Sequence, residues 1–272
     1  MTKRQSPDIR LVAIDLDGTL LQDDKTIASE DLAAVRETAA RGVHVVLASG
    51  RSARSMRPHW ERVGLPNPIV ACNGAQVHDL VTGEDLWLQP IPPEVVRKVL
   101  VEVQQLIPEA YIGMEMTDHR LAVNRIYEQL QWKLTPPRQL FVGDLEAWAS
   151  EIVLKLWVYV PGMSVRELQR LLKSRWDSRL RIEYQTSASI QVLDSRAGKG
   201  VAVRWLAAQH GISPDQIMAI GDHTNDLEML QAVGWPVAMG NAEEEVKAVA
   251  RWVTSSNAEI GVAQALHRWV LE

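Results

Sequence analysis

The sequence predicts an α/β protein with a parallel-sheet core interrupted by an inserted α+β segment. Three observations predict it. Short apolar runs alternate with amphipathic stretches near the N-terminus. The same rhythm returns near the C-terminus. Between the two lies a strand-rich stretch of hairpin character.

In chain order, Arg10–Leu16 is a short apolar run, expected as a buried strand. Ser29 is a candidate helix N-cap, with Glu30 and Asp31 in the first turn. Leu32, Val35 and Ala39 fall on one helical face, and Gly42 ends the helix. Val43–Ala48 is a second strand, Ser52–Val63 a helix, and Ile69–Cys72 a third strand. Strand, helix, strand, helix, strand implies parallel pairing with right-handed crossovers. Near the C-terminus the spacing predicts a helix over Lys199–His210, a strand over Gln216–Ile220 and a helix over Asn225–Val233. A strand over Pro236–Met239, a helix over Glu243–Ala250, a short strand at Trp252–Thr254 and a helix over Gly261–Val270 close the chain.

The middle opens on Pro90, Pro92 and Pro93, which punctuate a boundary. A helix to about Ile107 follows, then a hairpin over Tyr111–Asn124 turning at Thr117–His119, and a strand over Ile152–Val160. Ser164 and Glu167 form a capping box, and two strands near Leu180–Tyr184 and Ser189–Leu193 end the segment. The expected division is a discontinuous core, residues 1–83 and 192–272, around an insert at 84–191. Hinges are expected near Gly83–Leu88 and Gln191–Ser195, where the chain crosses between them.

Composition narrows the function. The chain has 272 residues, 46% hydrophobic and 23% charged, with a net charge of −5. That length suits two domains, and the balance excludes a disordered chain, a collagen-like repeat and a disulfide scaffold. A mildly acidic protein has no field to hold nucleic acid or an anionic membrane. The single cysteine, Cys72, is expected as a small buried residue. Met1–Arg10 lacks a signal-peptide core, and no apolar run approaches the roughly 20 residues of a membrane span. A cytoplasmic protein is expected, as a monomer or small homo-oligomer without nucleic-acid or membrane partners.

In an open parallel sheet, ligands bind beyond the carboxyl ends of the strands. Those ends read Asp15-Leu-Asp17-Gly-Thr-Leu20, Ser49-Gly-Arg51, Asn73-Gly74 and Gly221-Asp-His-Thr-Asn-Asp226, and Lys199 starts the helix after the insert. Asp15, Asp222 and Asp226 supply oxygen ligands for a hard divalent cation such as Mg2+. A cation, a lysine and a hydroxyl together suit a phosphoryl group, and a carboxylate can attack phosphorus. Asp15 and Asp17 leave one strand two residues apart. Separate roles require separate environments, with Asp15 ionised beside a metal and Asp17 able to hold a proton. Taken singly, each piece has a plainer reading: a polar turn, a solvated lysine, a loop with an N-cap. Their joint order at strand ends is what carries the signal.

The four motifs together resemble the haloacid dehalogenase superfamily of phosphatases: Asp15-Leu-Asp17-Gly-Thr-Leu-Leu21, Ser49-Gly-Arg51, Lys199-Gly200, and Gly221-Asp222-x-x-Asn225-Asp226. The insert lies between the second and third motifs. Its position and size resemble the class IIB cap of Cof-type members, as do Cys72-Asn-Gly-Ala75 and Ser256-Asn257. The resemblance implies a Rossmann-like core and a Mg2+-dependent phosphohydrolase for small phosphorylated metabolites, working through an aspartyl-phosphate. It implies Asp15 as nucleophile and metal ligand, and Asp17 as general acid and base with its carbonyl on the metal. Ser49 and Lys199 would hold the transferring group, and Asp222 and Asp226 the metal. Gly18, Gly50, Arg51, Asn73 and Asn225 would line the phosphate. Two departures from the family pattern are His223, where Ser is usual, and Gln191-Val-Leu-Asp194, where a Glu-containing strand is usual.

Other readings fare worse or stay open. A P-loop would need Gly at Leu193 and Ser or Thr at Gly200. No dinucleotide fingerprint follows the first strand, and no His-Glu-x-x-His zinc spacing occurs. A phosphomutase and a non-catalytic phosphate sensor share the motifs. Glu115, His119, Arg120 and the Thr186–Ser189 loop are the cap candidates for substrate choice.

Overall fold

A computed structural model describes residues 8–126, 136–173, 176, 178–184 and 189–272. The strands are β1 (Leu11–Asp15), β2 (His44–Ala48), β3 (Ile69–Ala71), β4 (Gln76–His78), β5 (Asp85–Leu88), β6 (Tyr111–Met116), β7 (Arg120–Val123), β8 (Gln139–Val142), β9 (Val153–Tyr159), β10 (Leu180–Tyr184), β11 (Ile190–Asp194), β12 (Ile217–Gly221), β13 (Trp235–Ala238) and β14 (Trp252–Val253). The helices are α1 (Ser29–Ala40), α2 (Ala53–Val63), α3 (Pro93–Leu106), α4 (Val165–Lys173), α5 (Lys199–Gln209), α6 (Leu227–Gln231), α7 (Glu244–Val249) and α8 (Gly261–Leu266). No described helix is long and apolar enough to cross a membrane.

The strands form two sheets. One has eight strands in the order β14-β13-β12-β1-β2-β3-β4-β5. From β14 to β3 its pairs are parallel, and β4 and β5 add an antiparallel edge. All five residues of β1 are buried, as a central strand covered on both faces requires. Helices α1, α2, α5 and α8 share its apolar cluster, from Leu11 and Ile14 to Met56, Val203 and Leu266. The second sheet has six strands, β10-β11-β9-β6-β7-β8. It is antiparallel except for β7 and β8, and its own cluster includes Val99, Ile112, Leu156 and Leu168.

The structure corrects several expectations. The N-cap of α1 is Ala28, and Ser29 is already helical, its hydroxyl donating to Glu30. Asn225 lies in a single 3-10 turn ahead of α6 rather than in the helix. Strands β4 and β5 carry no apolar alternation that would have announced them. Their polar side chains are joined instead, with Gln76 Nε2 donating to Asp85 Oδ1 at 2.6 Å and His78 Nδ1 lying 2.7 Å from the same oxygen.

Because β5 belongs to the eight-stranded sheet and β11 reaches Asp194, the crossings fall later than the expected boundaries at 83/84 and 191/192. Gln89 N–H donates to Ala75 on the first sheet, and Ile91 N–H donates to Val153 on the second. The outward crossing between the sheets is therefore at Pro90, after the expected Gly83–Leu88. The return crossing is 195–198, between β11 and the Gly198 cap of α5, not Gln191–Ser195. Cys72 is buried as expected, in a small cluster with Ala75, Leu154, Leu193 and Ala197 that joins the two sheets.

Asp31 on α1 is fully buried against the start of α8. Its Oδ1 accepts from Ala263 N–H at 2.7 Å, while Oδ2 has no hydrogen-bond partner among the described residues. Burial pushes its pKa from 3.8 to about 6, against the pull of that N–H. The folded state then holds the proton more tightly than the unfolded chain, so stability falls as pH rises through that window and levels off above it. Asp31→Asn keeps an acceptor and removes the charge. We expect a higher Tm at pH 7.5, equivalent to about 1 kcal/mol, and a flatter Tm profile between pH 4 and 6. A lower Tm at pH 7.5 would mean that the charged contact to α8 outweighs burial.

Candidate active site

The carboxyl ends of β1, β2, β3 and β12 converge where the crossover helices leave on either side. Asp15 is the last residue of β1 and is buried. The chain then turns through Leu16–Leu21, with Gly18 at φ +83°. A Cβ on Gly18 would overlap the Asp222 carboxylate, so the turn needs glycine both for its backbone and for this approach. Thr19 Oγ1 donates to Asp222 Oδ1 at 2.9 Å and ties the β1 turn to the β12 loop. Asp226 Oδ2 accepts from the N–H groups of Asp222 and His223, at 3.1 and 3.2 Å, and so shapes its own loop.

Lys199 sits at the centre. It opens α5, its side chain is fully enclosed, and Nζ donates to Asp15 Oδ1 and Asp226 Oδ1, both at 2.7 Å. Burial would pull its proton off, but the two carboxylates outweigh that and hold it charged. Asp15, Asp222 and Asp226 each bring one oxygen within 4.8 Å of the others. Burial first, then the Asp226 charge, pushes the Asp15 carboxyl well up and that of Asp222 to about 7. Once ionised, three carboxylates around one ammonium carry a surplus of negative charge in a largely enclosed site. An all-oxygen donor set with that surplus fits a hard divalent cation.

Ser49 is buried at the end of β2, and its hydroxyl oxygen accepts from Arg51 N–H. Asn73, at φ +51°, donates its own N–H to Ser49 O. Asn225 Nδ2 donates to Asn73 Oδ1 at 3.1 Å, and Asn73 Nδ2 donates to Gln191 Oε1 at 2.9 Å. This relay runs from the β12 loop through the β3 loop to the second sheet. Gly50 gives its carbonyl to Lys155 Nζ, at 2.6 Å, another contact from the second sheet.

The Asp17 carboxylate lies outside the Asp15, Asp222 and Asp226 group, where the expectation placed only its carbonyl, and it is held ionised. Arg51 grips both of its oxygens at 2.6 Å, and Lys25 adds a third contact at 2.9 Å. Burial works upward, but the Arg51 and Lys25 contacts prevail and hold the carboxyl at about 2. His59 Nε2 lies 3.1 Å from Arg51 and braces the guanidinium.

Sequence reasoning missed several supports. Asn241 Nδ2 donates to Gly18 O at 2.8 Å, and Asn257, noticed without a role, donates to Leu21 O at 2.9 Å. Both hold the β1 turn. Glu228 accepts from Gly200 N–H at 2.8 Å and fixes the start of α5. Asn257 is buried, and a buried amide must find partners, whereas Asn241 is exposed and gave no such signal. Among the cap candidates, Glu115 pairs with buried Arg54 at 2.7 Å. His119 packs edge-on against His78, and Arg120 pairs with Glu151. Residues 186–188 of the remaining candidate loop lie outside the described residues.

A family model for haloacid dehalogenase-like hydrolases matches residues 12–266. The 5-amino-6-(5-phospho-D-ribitylamino)uracil phosphatase YcsE of Bacillus subtilis is 31% identical, over 99% of both chains. The pyridoxal phosphate phosphatase YbhA of Escherichia coli is 30% identical, over 95% of this chain and 97% of the relative. Among solved structures, a phosphatase of the same superfamily from Bacteroides thetaiotaomicron superposes with a TM-score of 0.83 at 25% identity, covering 100% of this chain and 99% of its own. A subclass IIB sugar phosphatase has the same fold, with a TM-score of 0.83 at 22% identity over 97% of this chain and 100% of its own.

The raised carboxyl groups make metal binding visible in stability. Without a cation, Asp15 and Asp222 hold protons more tightly folded than unfolded. In chelator, stability should therefore fall as pH rises from about 4 to 7. The Tm gain on adding Mg2+ should grow across the same window, because deprotonated ligands bind the ion. Thermal melts at pH 5 and pH 8, in EDTA or Mg2+, measure this. No gain, or a larger gain at pH 5, would count against a cation at these residues.

Proposed function

This chain belongs to the haloacid dehalogenase-like hydrolases and is a phosphoric monoester hydrolase, and from that premise we propose that it dephosphorylates small metabolites through a phosphoryl group carried on Asp15. The observation that carries the reading is the buried Lys199 ammonium joining Asp15 and Asp226 beside Asp222, at the carboxyl ends of parallel strands. Lys199 engages Asp15 Oδ1, which leaves Oδ2 to attack. Mg2+ at Asp15, Asp222 and Asp226, and at the Asp17 carbonyl, would offset the charge of the phosphoryl oxygens against the attacking carboxylate. Lys199 adds to that offset, and Ser49 would donate its hydroxyl proton to a phosphoryl oxygen. The two relatives named for their substrates act on a phosphorylated ribitylaminouracil and on pyridoxal phosphate, and support a small phosphorylated substrate here.

In the first step the Asp15 O–P bond forms and the ester P–O bond breaks, with a proton from Asp17 passing to the departing oxygen. In the second, water gives its proton to Asp17 and its oxygen to phosphorus, and the Asp15 carboxylate is released. Asp17 can hold a proton only when Arg51 lets go of it. A phosphate dianion is the natural competitor for a guanidinium that presents parallel donors. Once Arg51 turns to the substrate, the burial that already pushes on Asp17 has less opposing it.

Asp17→Asn should slow hydrolysis of an alkyl phosphate roughly 10²–10⁴-fold, the usual range for a lost general acid. With p-nitrophenyl phosphate, whose leaving group needs no proton, the variant should release one burst of p-nitrophenol and then stall with phosphate on Asp15. Asp15→Asn should show neither burst nor turnover. Rapid-quench kinetics with mass spectrometry of the trapped protein reads both. A normal steady-state rate in Asp17→Asn, or phosphate on another residue, would overturn these roles.

A further inference from the structure

One face of β9 carries Lys155, Trp157 and Tyr159, since alternate residues of a strand share a face. Lys155 reaches the Gly50 carbonyl, so this face looks toward the loop after β2. The register partner of Trp157 on β11 is Gln191, whose side chain meets Asn73. Cross-strand partners share a face and stand about 5 Å apart. Trp157 therefore lies among side chains that reach the β2 and β3 loops from the second sheet.

The polar members of this face are already engaged. Lys155 is taken by Gly50, Gln191 Oε1 by Asn73, and Glu115 by Arg54. Trp157 is different. It is half-buried, and its indole N–H donates to no described protein group. Its ring leans over Gly113, its partner on β6, where any Cβ would overlap the indole Cε2, Cζ2 and Nε1. One face of the ring thus rests on bare backbone, and the other is turned away from the sheet. Glycine at 113 makes room for a flat ring that no hydrogen bond to a described residue holds.

We propose that Trp157 is the stacking platform for the non-phosphate part of the substrate, and that the preferred esters carry a planar heteroaromatic ring rather than an open polyol or a sugar. This rests on the reading of the crevice as a phosphate monoester hydrolase. A flat apolar face beside a polar frame with few unused donors rewards a planar ring, through area and π contact. It rewards a hydroxyl-covered substrate poorly, because hydroxyl groups stripped of water need partners.

The test compares pyridoxine 5′-phosphate with glycerol 3-phosphate in the native protein and in Trp157→Leu and Trp157→Phe. In the native protein kcat/KM should favour the ring-bearing ester. Trp157→Leu should lower the ratio of the two kcat/KM values about tenfold, mainly through KM for the ring-bearing ester. Trp157→Phe should restore most of it. An equal fall for both esters would mean that the indole only supports the sheet, and a ratio that does not move would remove it from substrate choice; either overturns the proposal. Failure to hydrolyse either ester, or acetyl phosphate, would count against the hydrolase reading instead. Calorimetric binding to Asp15→Asn then decides the platform alone. Supported, it predicts tighter binding of the ring-bearing ester that Trp157→Leu weakens about tenfold. Equal affinity for both esters would overturn it.

Discussion

The buried ammonium of Lys199, shared by Asp15 and Asp226, is the contact on which the rest of the core depends. It joins the end of β1 to the loop after β12 and fixes where α5 begins. Removing one partner of a buried ion pair leaves an uncompensated charge, so the trio stands or falls together. It is also incomplete. Two like charges about 4 Å apart repel by about 4 kcal/mol at an effective dielectric of 20, and three carboxylates share this site with one ammonium. The fold tolerates the surplus because rigid neutral contacts surround it. Thr19 bonds Asp222, backbone N–H groups bond Asp226, and Asn241 and Asn257 hold the turn that carries Gly18. A site built this way is preorganised for positive charge, whether it arrives as a cation or accompanies an anionic group.

The contact between the two sheets has the opposite character. Its apolar part is small, centred on Cys72, Ala75, Leu154, Leu193 and Ala197. Most of the remainder is polar: Lys155 on Gly50, Arg54 on Glu115, and the amide relay of Gln191, Asn73 and Asn225. Polar contacts can be exchanged for water at modest net cost, whereas a broad apolar seam cannot. The chain passes between the two sheets at Pro90 and at 195–198. Gln191 reaches Asn225 through Asn73, so hydrogen bonds link the second sheet to the loop that carries Asp222 and Asp226.

The sequence made the core legible where one rule dominated. Fully buried parallel strands are continuous apolar runs, and their ends hold the polar residues. Asp15, Ser49, Asn73, Asp222 and Asp226 could therefore be assigned to one crevice from their places at strand ends, with Lys199 at the start of the helix after the insert, and the resemblance to a known superfamily supplied their roles. What escaped was set by pairing rather than pattern. Strands β4 and β5 are stabilised through Gln76, His78 and Asp85, which read as turn or surface residues in isolation. The crossings were misplaced for the same reason, because β5 looked like linker. The Ser29 cap failed because Ser, one residue into a helix, competes equally well for its neighbour Glu30. Trp157 and Gly113 lie far apart in sequence, and nothing local says that one needs the other to be glycine.

The Asp17 contact was the least legible of all, and its physics explains why. Asp17, Lys25, Arg51 and His59 come from three segments, and each alone resembles a solvated polar residue. Assembled, they cancel the effect that spacing suggested. The turn buries Asp17, which by itself favours the protonated acid, while Arg51 removes that preference. A carboxyl held at about 2 is a poor proton donor near neutral pH. The same guanidinium sits on the loop that carries Ser49. On the proposed mechanism one cation would face two anions, the resident carboxylate and an arriving phosphate, and could not grip both with the same pair of donors. Recognition of phosphate and release of the acid would then be one event, leaving only the Lys25 contact to oppose the burial of Asp17. Without that competitor, Arg51 and Lys25 keep the Asp17 carboxyl ionised.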